Sequence, residues 1–525
     1  MSDPTTTAGT QAQRRSRRGG RAAKRQQVEA EQQTGRPFVQ PRRMFAPMDI
    51  ISADELEAIH QASLDVLKEI GIDFLDDEAR AILKDAGADV QPDGPRVRFD
   101  SGVIDHLVAS APSDFKVHAR NPAHTIEIGT NAIANCQIGS APNVSDLDRG
   151  RRPGDQAAFR DLLKLAQMAN IIHIVGGYPV EPVDIHASVR HLDCVQDIIT
   201  LTDKAFHIYS LGRTRNFDGL EMVRIARGIS TEQMAQEPSV FTIINASSPL
   251  RYDTVMLHGI MEMSARNQVV VITPFTLAGA MAPVTIEGAL VQQNAEALAG
   301  IAFTQAVRAG APVIYGGFTS NVDMKSGSPA FGTPEYMKAT IVGGQLARRY
   351  QVPFRTSNTC AANTVDAQAA WESVLSLWAT TMAGGHMIKH GAGWMEGGLT
   401  ASYEKFIVDL DLLQMVQEFL TPLKIDKGSL AMEAMRDVGP GGHYFQTDHT
   451  QARYKDAFYA PILSDWRNFE TWAAAGSPNA MGKAHTVWQE MLESYEAPEL
   501  DPAIAEELQA FVTKRREEGG IETDF

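Results

Sequence analysis

PVIYGGFTSNVDMKSGSPAFGTPEY, residues 312 to 336, packs three kinds of sequence into one short span. PVIY is an apolar run of the length and type that makes a buried strand. Thr333-Pro334-Glu335 reads as the start of a helix, with proline in the first turn. Between them lie some 17 residues rich in Gly, Ser, Pro and Asn, with two aromatics, Phe318 and Phe331, that look exposed. The unit is therefore strand, over-long loop, helix.

Working outward, the strand and helix recur without the long loop. Apolar, β-favouring runs start at Ile133, Ile171, Ala205, Val240, Val269, Pro312, Val352 and His386, and helical stretches such as DQAAFRDLLKLAQMAN and EALAGIAFTQAVRAG separate them. The starts are 38, 34, 35, 29, 43, 40 and 34 residues apart. Eight short apolar strands, each followed by a helix, give the order of an α/β fold of the (β/α)8 TIM-barrel type. A doubly wound open sheet would carry a glycine fingerprint after its first strand, and QIGSAPN has none.

The flanks divide the rest. Residues 1–40 predict a disordered basic tail, and 41–130 an N-terminal α/β extension. Its first helix starts at Ser52 with Glu55 completing a capping box and stops at Gly71. Residues 131–403 are the barrel, and 404–525 a helical extension packed on it. Net charge is −16, of which residues 1 to 28 hold a local +6, leaving −22 on the remainder. An acidic body excludes a nucleic-acid surface there. No apolar run reaches membrane-spanning length, since the best, residues 269 to 284, is interrupted by prolines. Three distant cysteines (Cys136, Cys194, Cys360) make neither a disulfide scaffold nor a CxxC zinc site, which points to a reducing cytoplasm.

A barrel of this type places its chemistry at the C-terminal ends of the strands. Those positions here include Gly139-Ser140, Gly177-Tyr178, Asn245, Phe275, Phe318, Asn358, and His390 through Trp394 and Glu396. Aromatics are frequent and metal or strong acid–base groups are scarce. There is no HExxH or P-loop, and Asp184–Val189 lacks the glycine of a corrinoid-binding DxHxxG. Four aromatics at one mouth suit an apolar or cationic ligand, and a quaternary ammonium gains roughly 0.5–2 kcal/mol per aromatic face.

At these residues the sequence resembles a known family. GGFTSNVDMKSGSPAFGTPEYMKAT, GGQLARRY, GAGWMEGGLTASYEKF, GPGGHYFQTDHTQARY and SDWRNFETW, in that order, are similar to the trimethylamine methyltransferase (MttB) superfamily over roughly residues 41 to 500. The resemblance implies a barrel enzyme that moves a methyl group from an amine to the cobalt of a separate corrinoid protein. Archaeal trimethylamine members use pyrrolysine, whereas this chain is written in ordinary residues. It is thus similar to the non-pyrrolysine branch, which includes glycine betaine:corrinoid methyltransferases.

The implied roles follow. Tyr178, Phe275, Phe318 and Trp394 form an ammonium cage. Glu396 adds negative potential or orients its loop, and Asn358 and His390 hold the substrate carboxylate. No metal or cofactor is expected on this chain, the cobalamin being carried by the corrinoid partner. A homo-oligomer is expected. The rivals are a methyltransferase for another amine (proline betaine, carnitine or trimethylamine) and a non-catalytic quaternary-amine binding protein.

Overall fold

The computed structural model describes residues 37–521. Most of the expected tail lies outside them, but Phe38 is already packed, its ring 5.1 Å from that of His173. The capping box forms as the sequence requires: the Ser52 hydroxyl accepts from the Glu55 amide while the Glu55 carboxylate accepts from the Ser52 amide.

Eight short parallel strands alternate with eight helices. The strands are β1 (Ala134–Asn135), β2 (Ile174–Val175), β3 (Ala205–Phe206), β4 (Phe241–Ile244), β5 (Val269–Ile272), β6 (Val313–Gly316), β7 (Phe354–Ser357) and β8 (Met387–Lys389). The helices are α1 (Gln156–Met168), α2 (Arg190–Leu201), α3 (Gly212–Arg227), α4 (Thr254–Ala265), α5 (Ile286–Val307), α6 (Pro334–Arg349), α7 (Ala367–Ala383) and α8 (Tyr403–Phe419). Six strands form one parallel sheet in the order β4-β5-β6-β7-β8-β1, and β2 pairs with β3. Single parallel bridges, Cys136 to Ile174 and His207 to Phe241, link that pair to both margins of the sheet. Every residue of β5 is buried, as expected where helices cover one face and an interior the other.

Side chains alternate across these strands with period two. Phe241, Val269, Val271, Ile314 and Met387 point inward and pack on Val117, Ile126 and Ile128 of an antiparallel hairpin. That hairpin closes the N-terminal end of the strands with apolar side chains. The open end is therefore the C-terminal one. The N-terminal extension is joined to the body by backbone, because Ile72–Phe74 pairs in parallel with Arg251–Tyr252, just before α4.

The stretch 316–336 is more ordered than its composition suggests. Phe318–Val322 is a strand paired in parallel with Phe275–Ala278, and Pro329–Ala330 folds back on it. Phe318 and Phe331 are 7% and 1% exposed, so neither is the surface aromatic that the sequence suggests. Asp, Ser and Gly here make a short turn at Asp323–Ser328 rather than a loose loop.

Candidate functional site

A cavity of about 440 Å³ opens at the C-terminal ends of the strands. Its upper wall is aromatic. Phe275 and Phe318 stack with centroids 5.0 Å apart, a contact fixed by their direct register in the paired strands after β5 and β6. Trp394 tilts against Phe318 at 5.9 Å and stacks on His390 at 4.9 Å. Tyr209, Met256 and Met281 complete the wall.

The floor is cationic. Arg355, in β7, and Lys389, in β8, alternate inward between the apolar Phe354 and Ile388, and both are 2% exposed. Nε and Nη1 of Arg355 are buried without a hydrogen-bond partner. Its guanidinium lies 5.2 Å from the Phe318 ring centroid. Lys389 Nζ donates to the Gly176 carbonyl at 2.7 Å and lies 3.7 Å from Cys136 Sγ. His207 Nδ1 is 2.6 Å from the same carbonyl, so that nitrogen carries the proton, and its 3.3 Å approach to Lys389 sets donor against donor. Among the described residues neither Arg355 nor Lys389 forms an ion pair with a carboxylate. Gly139 is required beside them, because a Cβ there would lie 2.9 Å from Lys389 Nζ and 2.6 Å from the Gly176 oxygen.

Burial sets the charges. It lowers Arg355 to about 10, still cationic at neutral pH. It lowers Lys389 from 10.5, with the Cys136 thiol opposing and Arg355 adding to the shift. His390 and His207 fall well below the usual imidazole value, through burial first and the Lys389 charge second, so both are neutral. The cavity thus has two buried cations at one end, π-faces at the other, and no negative side chain in its lining. Such a pair of cations asks for an anion.

Four of the seven expected site residues meet in this wall: Phe275, Phe318, His390 and Trp394. The other three do not. Tyr178 stands behind Tyr209, edge-on at 4.3 Å. Asn358 is 1% exposed and spends its amide donor on the Gly391 carbonyl at 3.1 Å. Glu396 turns outward to Arg151, 2.9 Å away. His390 is neutral, and because its Nδ1 accepts from the Gly139 amide at 3.4 Å its proton sits on Nε2. Support for the wall comes from α8: Asp409, buried and paired with Lys405, accepts from the Gly393 amide at 2.9 Å and holds the segment carrying His390 and Trp394. Sequence reading missed Arg355, Lys389, His207 and Tyr209. The signal for the two cations is a lone charge inside the apolar runs VPFRTS and HMIKHG, which lies in a strand interior and not at a strand end.

Cys360 is buried, with Sγ 3.8 Å from Met395 Sδ and its thiol pushed up to about 12 by burial, which is no nucleophile's setting. Among the described residues no group of three His, Cys, Asp or Glu could hold a metal, and no helix is long and apolar enough to cross a membrane.

The family model for trimethylamine methyltransferase (MTTB) matches residues 16–520. The glycine betaine methyltransferase of Desulfitobacterium hafniense (strain Y51) is 35% identical over 481 residues, 91% of this chain and 100% of that protein. The trimethylamine methyltransferase MttB of Desulfitobacterium hafniense (strain DSM 10664 / DCB-2) is 28% identical over 473 residues, 90% of this chain and 94% of the other. Among solved structures, the Methanosarcina barkeri monomethylamine methyltransferase (MtmB) superposes with a TM-score of 0.51 at 12% identity, covering 94% of this chain and 92% of that one. That likeness shows a shared mixed α/β fold.

Proposed function

We propose, from the premise that this chain belongs to the trimethylamine methyltransferase (MTTB) family, that it transfers a methyl group from glycine betaine to a corrinoid held by a separate protein. The chain is a methyltransferase of that family; the substrate, the acceptor and the residue roles are our reading. One observation carries it: two buried cations without a carboxylate, Arg355 and Lys389, lie beneath a wall of aromatic rings. Glycine betaine is an anion and a quaternary ammonium two bonds apart. Its carboxylate would lie on the floor, bonded by Arg355 and Lys389, and its ammonium against Phe275, Phe318, Trp394 and Tyr209. Trimethylamine offers no anion, and would leave both floor cations unmatched beside another amine.

This orientation turns a methyl group toward the open end. The acceptor would supply the nucleophile as cobalt(I) carried in by the partner. The methyl leaves without the C–N electron pair, which stays on nitrogen, so the departing dimethylglycine has a neutral amine and needs no general acid. The work left to this chain is positioning, charge matching and exclusion of water. The neutral state of His390 and His207 fits that role, because two further cations would compete with the substrate.

We take the eight strands as one closed (β/α)8 barrel within residues 131–403, flanked by 41–130 and 404–525. The two bridges that tie β2 and β3 to the sheet support closure. We also assign the chain to the cytoplasm, a reducing compartment that suits its three free cysteines.

The test uses purified protein, free cob(I)alamin as acceptor, and three amines: glycine betaine, choline and trimethylamine. Calorimetry follows binding, and mass spectrometry follows the demethylated product. Glycine betaine should bind at least about tenfold tighter than choline, the difference of one charge-assisted contact. Choline or trimethylamine binding and reacting as well as glycine betaine would overturn the assignment.

A further inference from the structure

The chain from Leu423 to Phe458 folds without a cover. It contains two helical turns, Met432–Val438 and Asp448–Gln451, and its polar contacts close on themselves. Lys427 pairs with Glu433, His449 lies 3.2 Å from the Gly428 carbonyl, and the Gln451 amide donates to the Phe445 carbonyl at 2.7 Å. Ala434 alone is buried in this stretch. The body takes hold again only where Asp411, on α8, accepts from the Tyr459 hydroxyl and the Ile462 and Leu463 amides.

Meanwhile large apolar side chains stand in solvent. Leu423 and Phe458 are each 87% exposed, Phe445 78%, Ile425 72%, and Trp466 and Phe469, just beyond, 74% and 71%. Ordering backbone costs about 1–2 kcal/mol per residue, and a stretch this short that buries one alanine recovers almost none of it. Its exposed apolar area is on the order of 1,000 Å², beyond the few hundred typical of a monomer's largest patch and close to one partner's share of a stable interface.

We propose that this segment is a self-association arm, covered by a second copy of this chain. Charge selects that occupant. Residues 421–469 hold six Lys/Arg and six Asp/Glu, a neutral surface on a molecule of net −16. Two acidic copies can meet there without like-charge repulsion. Permanence argues the same way. A corrinoid carrier must arrive and leave at every turnover, which suits a smaller, more polar contact, whereas a constantly exposed aromatic surface needs a constant partner. The arm also borders a groove of about 660 Å³, where Ala431 and Met432 lie beside charges of both signs, among them Glu433, Arg436, Asp437 and Arg453, a mixed lining suited to another neutral surface.

Sedimentation equilibrium of the full-length protein at micromolar concentration tests this. The expected mass is at least twice that of one chain, falling to one chain in the double variant Phe458→Glu, Trp466→Glu, with circular dichroism and glycine betaine affinity unchanged. A monomeric wild type, or a double variant that keeps the wild-type mass, would overturn the proposal. Amide hydrogen exchange gives a second readout should the variant misfold. Exchange across 423–458 in the wild type should slow as protein concentration rises, and exchange independent of concentration, or slowed only by adding a corrinoid protein, would contradict it.

Discussion

The floor and the wall of one cavity are built on opposite principles. The wall is ordinary burial: Phe318 touches Phe275, Phe331 and Trp394, and each ring would be stable there with no ligand at all. The floor gives up more than it gains on folding. Arg355 gives up hydration with two nitrogens unmatched, and Lys389 trades it for one carbonyl and a thiol. Groups that cost stability in the free protein persist where a ligand offsets them. On the proposed binding mode the two ends divide the selection: the wall would take any soft cation, while the floor would demand an anion at a fixed separation from it.

Breaking the floor should have the largest effect. Arg355→Met is expected to weaken glycine betaine binding about 100-fold, ~2.7 kcal/mol, measured by calorimetry. The same variant should raise the thermal unfolding midpoint of the free protein, because it removes an unmatched buried cation. Loss of affinity with lowered stability would mean that Arg355 is a structural residue. Lys389→Met should cost about tenfold in affinity.

Lys389 also gives opposite pH slopes. Its folded value lies below 10.5, so between that lowered value and 10.5 the unfolded chain holds the extra proton. The free protein's stability should therefore gain from this group as pH rises through that window. Glycine betaine affinity should fall over the same range as the ammonium discharges. Both slopes should vanish in Lys389→Met, which denaturation and binding curves across alkaline pH would check.

Changes to the wall should matter less and without charge selectivity. Phe318→Leu and Trp394→Leu should each weaken binding about 2- to 30-fold, ~0.5–2 kcal/mol per ring face lost. Leucine is the better probe than alanine, because both rings are buried and alanine would leave a hollow. The smallest effect sharpens the boundary. Glu396→Gln should change affinity by less than about twofold, since its carboxylate pairs with the half-exposed Arg151 outside the cavity.

The wall was legible in the sequence and the floor was not, for a physical reason. Strand spacing locates strand ends, and aromatics just beyond them, such as Phe275, Phe318 and Trp394, follow directly. Arg355 and Lys389 lie within strands, where a charge reads as an outward-facing residue unless the register is known, and register depends on neighbouring strands. The same limit explains Asn358 and Glu396. Their positions in sequence are right for the mouth, but Gly391 and Arg151 claim their side chains. The self-contained arm at 423–458 read as a packed helical extension, because apolar content does not reveal which surface covers it.

A crystal structure of the full-length protein with glycine betaine bound would test the central claim most directly. The carboxylate is expected within hydrogen-bond distance of Arg355 and Lys389, with the trimethylammonium group among Phe275, Phe318 and Trp394 and one methyl facing the opening. A carboxylate turned toward solvent, with the ammonium lying over the two cations, would contradict it.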